Sequence, residues 1–511
     1  MKKFILSVIG GCMFIGAYAQ QEAEPIFLPY YYSVKLSPNG KWMGSMAGGA
    51  AIYNIETGEI LPYYESFLGL GNCITDDGVA VGEQNDVAKV MKDGRNSTPP
   101  TLRNSWFCDI NAITRDGSRL TGIINNPKRS EVMYVPFYCD IDEAGNVGEP
   151  IVLPYPELDF FNAAPQFVTA VWISDDGNTI IGEVMDWRGM YEYPIIYTCE
   201  NGDWSYTLPS EQYFNPEHIE IPENPWLNEP PYPEVTDFMS PESREFYEEE
   251  MAAAVMGEGD YPDPFDYLSA EEEEAYIDAV EKYNEWYYSV EERIKEYVEI
   301  YNSVTASSPM FNTNEMTLHP GGKWCAYSGG YEDGFSFNSK MFIFSGDNWE
   351  MSLMDMPLDN LYPSQILPDG TMIACTPMMD LPTTYILFPD SEEFISIEDY
   401  FAATHPLYYQ WMNENLQIGS GLVSVNDDMT VFSGGILFAH IIGNDDDTAY
   451  YNTYIFTGNE SGVETVNVET ADGLYSVFNL HGQKVLETRR KSDLEQLSGG
   501  IYIINGKKVK K

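Results

Sequence analysis

Ile173-Ser174-Asp175-Asp176-Gly177-Asn178-Thr179-Ile180-Ile181-Gly182 decides the reading of this chain. An apolar residue and a small polar residue lead into an Asp-Gly turn, and an apolar strand leaves it for a closing glycine. Asp-Gly between alternating apolar residues is the strongest short-range hairpin signal, because Gly accepts the positive φ such turns need. The pattern recurs as L-S-P-N-G-K-W-M-G-S at Gly40, I-T-D-D-G-V-A-V-G at Gly78 and I-T-R-D-G-S-R-L-T-G at Gly117. It returns as L-H-P-G-G-K-W-C-A at Gly322, L-P-D-G-T-M-I-A at Gly370 and V-N-D-D-M-T-V-F-S-G at Asp428. A second hairpin follows several of these turns, with its own turn at Gly58, Gly145, Gly202 or Gly346. Two hairpins make a four-stranded unit.

Successive turns lie 38, 39, 60, 145, 48 and 58 residues apart. Four-stranded units repeating every 40–50 residues are the signature of a β-propeller. The long gap contains a foreign stretch of about 100 residues, so one unit remains there once that stretch is set aside. The expected fold is therefore mainly β: a seven-bladed β-propeller over residues 20–461, with an α-helical insertion at 210–306 and a small C-terminal β domain at 462–511. The seventh unit lacks an outer strand. Residues 24–30 (E-P-I-F-L-P-Y) resemble the strand at 59–63 (E-I-L-P-Y) and are expected to supply it, closing the ring and removing two open sheet edges. The blades resemble those of WD-type and TolB-like propellers, without the Trp-Asp dipeptide.

The insertion carries 27 acidic and four basic residues over 210–305, a net −23. Its Pro-rich start (Pro216, Pro222, Pro225, Pro230, Pro231, Pro233) predicts extended chain. Ser240 before Pro241 predicts a helix to about 256, and the Ser269…Glu272 capping box a second helix from 270 to about 302. Tyr276, Val280, Tyr283, Tyr287, Val290, Ile294, Tyr297 and Tyr301 step by 4, 3, 4, 3, 4, 3, 4 along it. A strict 3.5-residue repeat asks for a partner surface. Packing on the first helix and the ring's rim is one solution. A tyrosine-rich interface is the other, with Tyr276, Tyr283, Tyr287, Tyr297 and Tyr301 as the candidate partner-binding residues. Replacing 212–306 by a short linker is expected to leave the ring folded.

The 511 residues carry 27 Lys and Arg against 80 Asp and Glu, a net −53, which repels phosphate backbones and argues against nucleic acid as a partner. Residues 1–19 read as a secretory signal: Lys2 and Lys3, an apolar run, then Ala17-Tyr18-Ala19 before Gln20. A rival reading makes Ile9-Gly10-Gly11-Cys12 a lipobox. No stretch suits a transmembrane helix.

Residues 474–511 contain N-L-H-G-Q-K-V and L-S-G-G-I-Y-I-I-N-G-K-K, with paired strands at 475–480 and 484–487 and at 501–504 and 507–509. This tail resembles the C-terminal sorting domain of Bacteroidetes type IX secretion cargo, although shorter. The resemblance implies export to the outer-membrane surface or the medium, with the periplasm as the alternative. Asp447-Thr448-Ala449 resembles the O-glycosylation pattern of that phylum.

None of the standard catalytic motifs is present. The five histidines (His218, His319, His405, His440, His481) lie at no metal-ligand spacing. Acidic turns at Asp76-Asp77, Asp175-Asp176, Asp427-Asp428 and Asp445-Asp446-Asp447 suit either calcium or local turn hydrogen bonds, and the latter are favoured. No other cofactor is expected. Cys73, Cys108, Cys139, Cys199, Cys325 and Cys375 are expected to be mostly buried thiols. The function expected is an exported, non-catalytic propeller that binds a glycan or protein at the cell envelope. A glycan-active hydrolase or lyase on the same scaffold is the alternative.

Overall fold

The computed structural model describes residues 26–29, 33–46, 49–103, 105, 107–127, 132–186, 188–255, 261–333, 336–358, 361–376, 383–389, 391, 393–415, 421–436, 452–457, 475–479, 484–488, 501–504 and 507–510. The signal segment, Cys12, His440, His481 and the Asp445–447 turn with its Asp-Thr-Ala pattern lie outside these residues.

The chain is a β-propeller. Sheet A runs Ser33–Leu36, Trp42–Met46, Gly49–Asn54 and Ile60–Tyr64; sheet B runs Phe67–Leu68, Ala80–Gln84, Val87–Lys92 and Arg95–Ser97. Sheet C is nine-stranded, from Cys108–Ile113 to Asp203–Thr207. Sheets D (Met310–Leu318 to Glu350–Met354) and E (Tyr362–Ile366 to Ile395–Ser396) are again four-stranded. Sheet F holds Gly421–Val425, Val431–Ile436 and Asn452–Thr457, and its fourth strand is Ile26–Pro29. The expected closure is therefore present: Ile26 pairs with Ile455 and Pro29 with Asn452, antiparallel. Each sheet touches the next, and the first strand of sheet A touches the first of sheet F, so the ring returns on itself. Leu36 and Met43 of sheet A bury against Ile455 of sheet F, with Ile26 and Leu28 packed alongside.

The recurring turns are one structure repeated. The amide at the turn glycine donates to the carbonyl three residues back at Gly40, Gly78, Gly117, Gly177, Gly322 and Gly370, over 2.8–3.1 Å. The seventh turn does the same with Met429, which takes φ +55° without a glycine. Its loop is held instead by Asp428, which accepts from Asn426 and from Thr430. At Gly78 (φ +76°) even a methyl group would meet the Trp42 ring at 2.5 Å, so the next sheet also enforces the glycine.

The insertion leaves sheet C and returns at sheet D. Helix α1 is Pro241–Val255, capped by Ser240, whose Oγ accepts from the Ser243 amide. Helix α2 is Ala270–Ser307, about 57 Å at 1.5 Å per residue, with both halves of the Ser269–Glu272 capping box formed. The Pro-rich stretch is not simply extended. It is broken by 3-10 turns at Glu211–Tyr213, Pro225–Asn228 and Val235–Phe238. Two helices absent from the sequence reading, α3 (Ile397–Thr404) and α4 (Pro406–Asn415), cover sheet E and contribute Phe401 and Tyr408 to a core shared with sheet F. The tail forms a separate four-stranded sheet, with Tyr475–Asn479 at its centre. The six described cysteines are free, and all but Cys199 are fully buried. No helix among the described residues is long and apolar enough to cross a membrane.

Candidate functional sites on the arm and at the ring axis

The heptad stripe of α2 finds most of its partner within the insertion. Trp226 meets Tyr297 edge-on (5.9 Å), Tyr232 meets Tyr283 (5.0 Å), and Phe238 meets Tyr276 (5.6 Å). The Pro-rich segment thus runs antiparallel along the stripe, and its 3-10 turns, rather than the first helix, fill the seam. Phe265, returning after α1, closes on the other side of Tyr276 at 5.5 Å. Tyr283 donates to the Glu229 carboxylate, and that bond, with partial burial, pushes its phenol up to about 12.

The five candidate tyrosines consequently separate. Tyr297 and Tyr301 are 1% and 3% exposed and join Val304 in the main core of the ring. Tyr301 packs on Phe161 at 4.3 Å and donates to Asp186, itself fully buried and accepting from the amides of Arg188 and Met190. The Arg188 guanidinium lies 4.8 Å from the Tyr301 ring. These two tyrosines anchor the arm, and no outside partner reaches them. The insertion therefore cannot be removed at 212–306 without opening the core, and the dispensable part ends before Ile294. Tyr276 and Tyr283 are half-covered. Tyr287 is 38% exposed and, beside Tyr288 at 70%, forms the free face.

At the axis, the residue after each turn's small polar position faces its counterparts. Arg115 donates through Nε to Asp76 of sheet B (2.6 Å) and through Nη1 to Asp427 of sheet F (2.5 Å). Sheets C and F are not neighbours in the ring, so this side chain spans the axial mouth. Burial raises Asp427 to about 6 against the pull of Arg115, and raises Asp175 for the same reason. The paired acids divide the work. Asp76, Asp175 and Asp427 face the mouth, while Asp116, Asp176 and Asp428 accept bonds within their own turns. The charge that meets the axial carboxylates is a guanidinium. Among the described residues no three acidic, His or Cys side chains gather at metal-ligand spacing. Arg115 did not stand out in the linear sequence; aligning the six glycine turns and the Met429 turn is the signal that places it with the three acids.

Of the described histidines, His319 Nδ1 accepts from the Gly321 amide (3.0 Å), and burial lowers its pKa. His405 stacks on Tyr408 at 5.4 Å and bonds to Thr404. On the inner strand of sheet C, Asp109 is a different case. Its Oδ1 is buried without a hydrogen-bond partner, and burial with the nearby charges of Glu83 and Asp86 raises its pKa to about 7.

No family model matches the chain, and no curated protein matches it. Among solved structures, the β-propeller domain of the Trilobed protease from Pyrococcus furiosus aligns at 11% identity and a TM-score of 0.37, over 80% of this chain and 91% of that one. The Dos1 propeller aligns at 9% and 0.41, over 85% and 94%. TolB from Acinetobacter baumannii aligns at 7% and 0.28, over 84% and 68%. The propeller is established here by its own strand order and ring contacts.

Proposed function

We propose that the chain is an exported, non-catalytic, seven-bladed propeller that binds a partner at the cell envelope through the outer part of its helical arm. The seven-blade count divides sheet C at its single parallel bridge, Tyr134 to Phe167, into two units. The observation that carries the binding reading is where exposed aromatics lie. Among the described residues, Tyr232, Phe246, Tyr261, Phe265, Tyr287 and Tyr288 are all in the arm, against Phe67, Tyr206 and Tyr409 elsewhere. Rigid aromatic faces supply contact area at low entropic cost, and exposed apolar surface gathered in one place marks an interaction site. The arm's negative charge excludes anionic polymers and suits a neutral glycan or a basic protein surface. The signal-like segment at 1–19 and the sorting-like tail support the envelope, at the outer surface or in the medium, as the place where this happens.

The test is capture from outer-membrane extract, with a neutral-glycan array alongside. The Tyr287→Ser/Tyr288→Ser protein should lose the captured partner while melting at the wild-type temperature. Equal capture by both proteins would remove the arm from recognition. Asp109 favours the second reading, a hydrolase using it as proton donor beside Glu83. That reading requires glycan turnover by the wild-type protein and its loss in Asp109→Asn.

A further inference from the structure

The outer face of α2 carries a second periodic stripe. Glu274, Asp278, Glu281, Glu285, Tyr288 and Glu292 step by 4, 3, 4, 3, 4, about 27 Å along the helix at 1.5 Å per residue. All six are exposed, Tyr288 to 70%. They lie one or two positions past the members of the buried stripe, and at about 100° per residue that turns them away from the Pro-rich segment. Glu292 pairs with Lys295 at 3.1 Å at the inner end of the stripe. From Ala270 to Ser289 the helix has seven acidic residues and one basic one, Lys282. Like charges four apart on a helix repel one another, and a face kept for solubility interleaves both signs. A cationic surface with an apolar centre would relieve that repulsion and cover the tyrosine.

The same chain supplies such a surface. Residues 474–511 hold eight basic and three acidic residues, a net +5, against −23 for residues 210–305. Residues paired across antiparallel strands lie on one face of their sheet. The register therefore sets Lys484, Phe478, Ile503 and Lys508 in a line across the four strands of the tail, with Lys510 paired to Ile501 beside it. Three strand spacings put the two lysine edges about 14 Å apart, and a helix with its side chains is about 10–12 Å across. A helix laid along the strands over Phe478 and Ile503 has lysines on both flanks. Within one chain the two surfaces are rooted apart, since the arm joins sheets C and D and the tail follows sheet F.

We propose that the basic tail sheet of one copy docks on the acidic outer stripe of α2 in a second copy. This rests on the reading above that the outer arm is a recognition surface, and it names the occupant. The contact is head-to-tail, so every copy offers both halves and copies add in series. Each copy carries a net −53, but at about 0.15 M salt charges more than about 8 Å apart are largely screened, which leaves the local attraction in control.

The test is sedimentation velocity on the full chain and on two charge reversals, Glu281→Lys/Glu285→Lys on the arm and Lys508→Glu/Lys510→Glu on the tail. The wild-type chain should form species that lengthen with concentration and dissociate in high salt. Each variant alone should associate more than about tenfold more weakly, because like charges then meet across the contact. Mixed, the two should form a one-to-one complex and stop there, since the tail variant keeps its arm and the arm variant keeps its tail. A wild-type chain that is monomeric at every concentration, association unchanged in both variants, or folded variants that stay apart when mixed overturns the proposal. If the tail variant fails to fold, carbodiimide cross-linking of mixed light and isotope-labelled wild-type chains decides. Links from Lys508 or Lys510 to Glu281 or Glu285 that join a light chain to a labelled one are expected, and links confined to one chain overturn the second copy as occupant. Capture of an outside partner through Tyr287 and Tyr288 by a chain that does not self-associate would sink this proposal and leave the earlier reading standing.

Discussion

The ring and the arm handle the same residue types in opposite ways. In the ring, carboxylates are consumed locally: Asp116, Asp176 and Asp428 stitch their own turns, and Asp76 and Asp427 share one guanidinium. In the arm most carboxylates face water, and Lys295, with Glu291 and Glu292, and Arg293, with Glu223, make exposed pairs of small worth. Tyrosines divide in the same way along a single helix, core at Tyr301 and surface at Tyr288. Neighbouring sheets leave ring side chains no freedom, whereas the arm is supported on one side only. Identical sequence periodicity therefore means core at one end of α2 and available surface at the other.

The contrast can be broken most forcefully at the seam. Deleting residues 22–32 removes the fourth strand of sheet F and the cover that Ile26 and Leu28 give, roughly 3–5 kcal/mol of apolar burial. A lower melting temperature and aggregation on size-exclusion chromatography are expected, and a monodisperse truncation with the wild-type melt would refute closure. Next comes the helix itself. Tyr301→Ala should cost about 3–5 kcal/mol in urea unfolding, and Tyr288→Ala within about 0.5 kcal/mol. Similar values for both would erase the division between anchor and surface.

A smaller effect is expected from pH. Asp109 has a folded pKa near 7 against an ordinary 3.8, so between these values the native state holds a proton that the unfolded chain has released. Its contribution is full below about pH 4 and is lost as pH rises through 7. Asp109→Asn should therefore leave the melting temperature unchanged at pH 4 and raise it at pH 8. A parallel shift at both pH values would show that ionisation is not the cause. The smallest change is expected from replacing 229–289 with a short Gly/Ser linker, which keeps the anchor. Loop closure changes by only about 0.6 kcal/mol per doubling of length, so the ring's cooperative melt should persist.

What was legible in the sequence was local. Asp-Gly turns, the Ser269–Glu272 box and the likeness of 24–30 to 59–63 each need only a few adjacent residues, and the strands and caps fall where those signals place them. The heptad announced that α2 needs a partner; the ring named for it takes one end of the stripe, but the first helix named beside it does not fill the rest. Its partner, a Pro-rich segment with aromatics at 226, 232 and 238, has no periodicity to match. Helices α3 and α4 were missed although Ser396 caps one and Pro406 starts the other, because each is short. The Arg115–Asp76–Asp427 bridge joins Arg115 to a carboxylate 312 positions away, brought together by ring geometry alone.

The closing strand also sets an order of events in time. Every other strand of the ring pairs with partners nearby in the chain and can fold as it emerges, but Ile26–Pro29 waits for Asn452–Thr457. At 5–20 residues per second, that wait during synthesis is about 20–90 s. Until it ends, the first strand made is the last to be paired, and sheet F stands with an open edge. Ring closure is the step that ends this exposure.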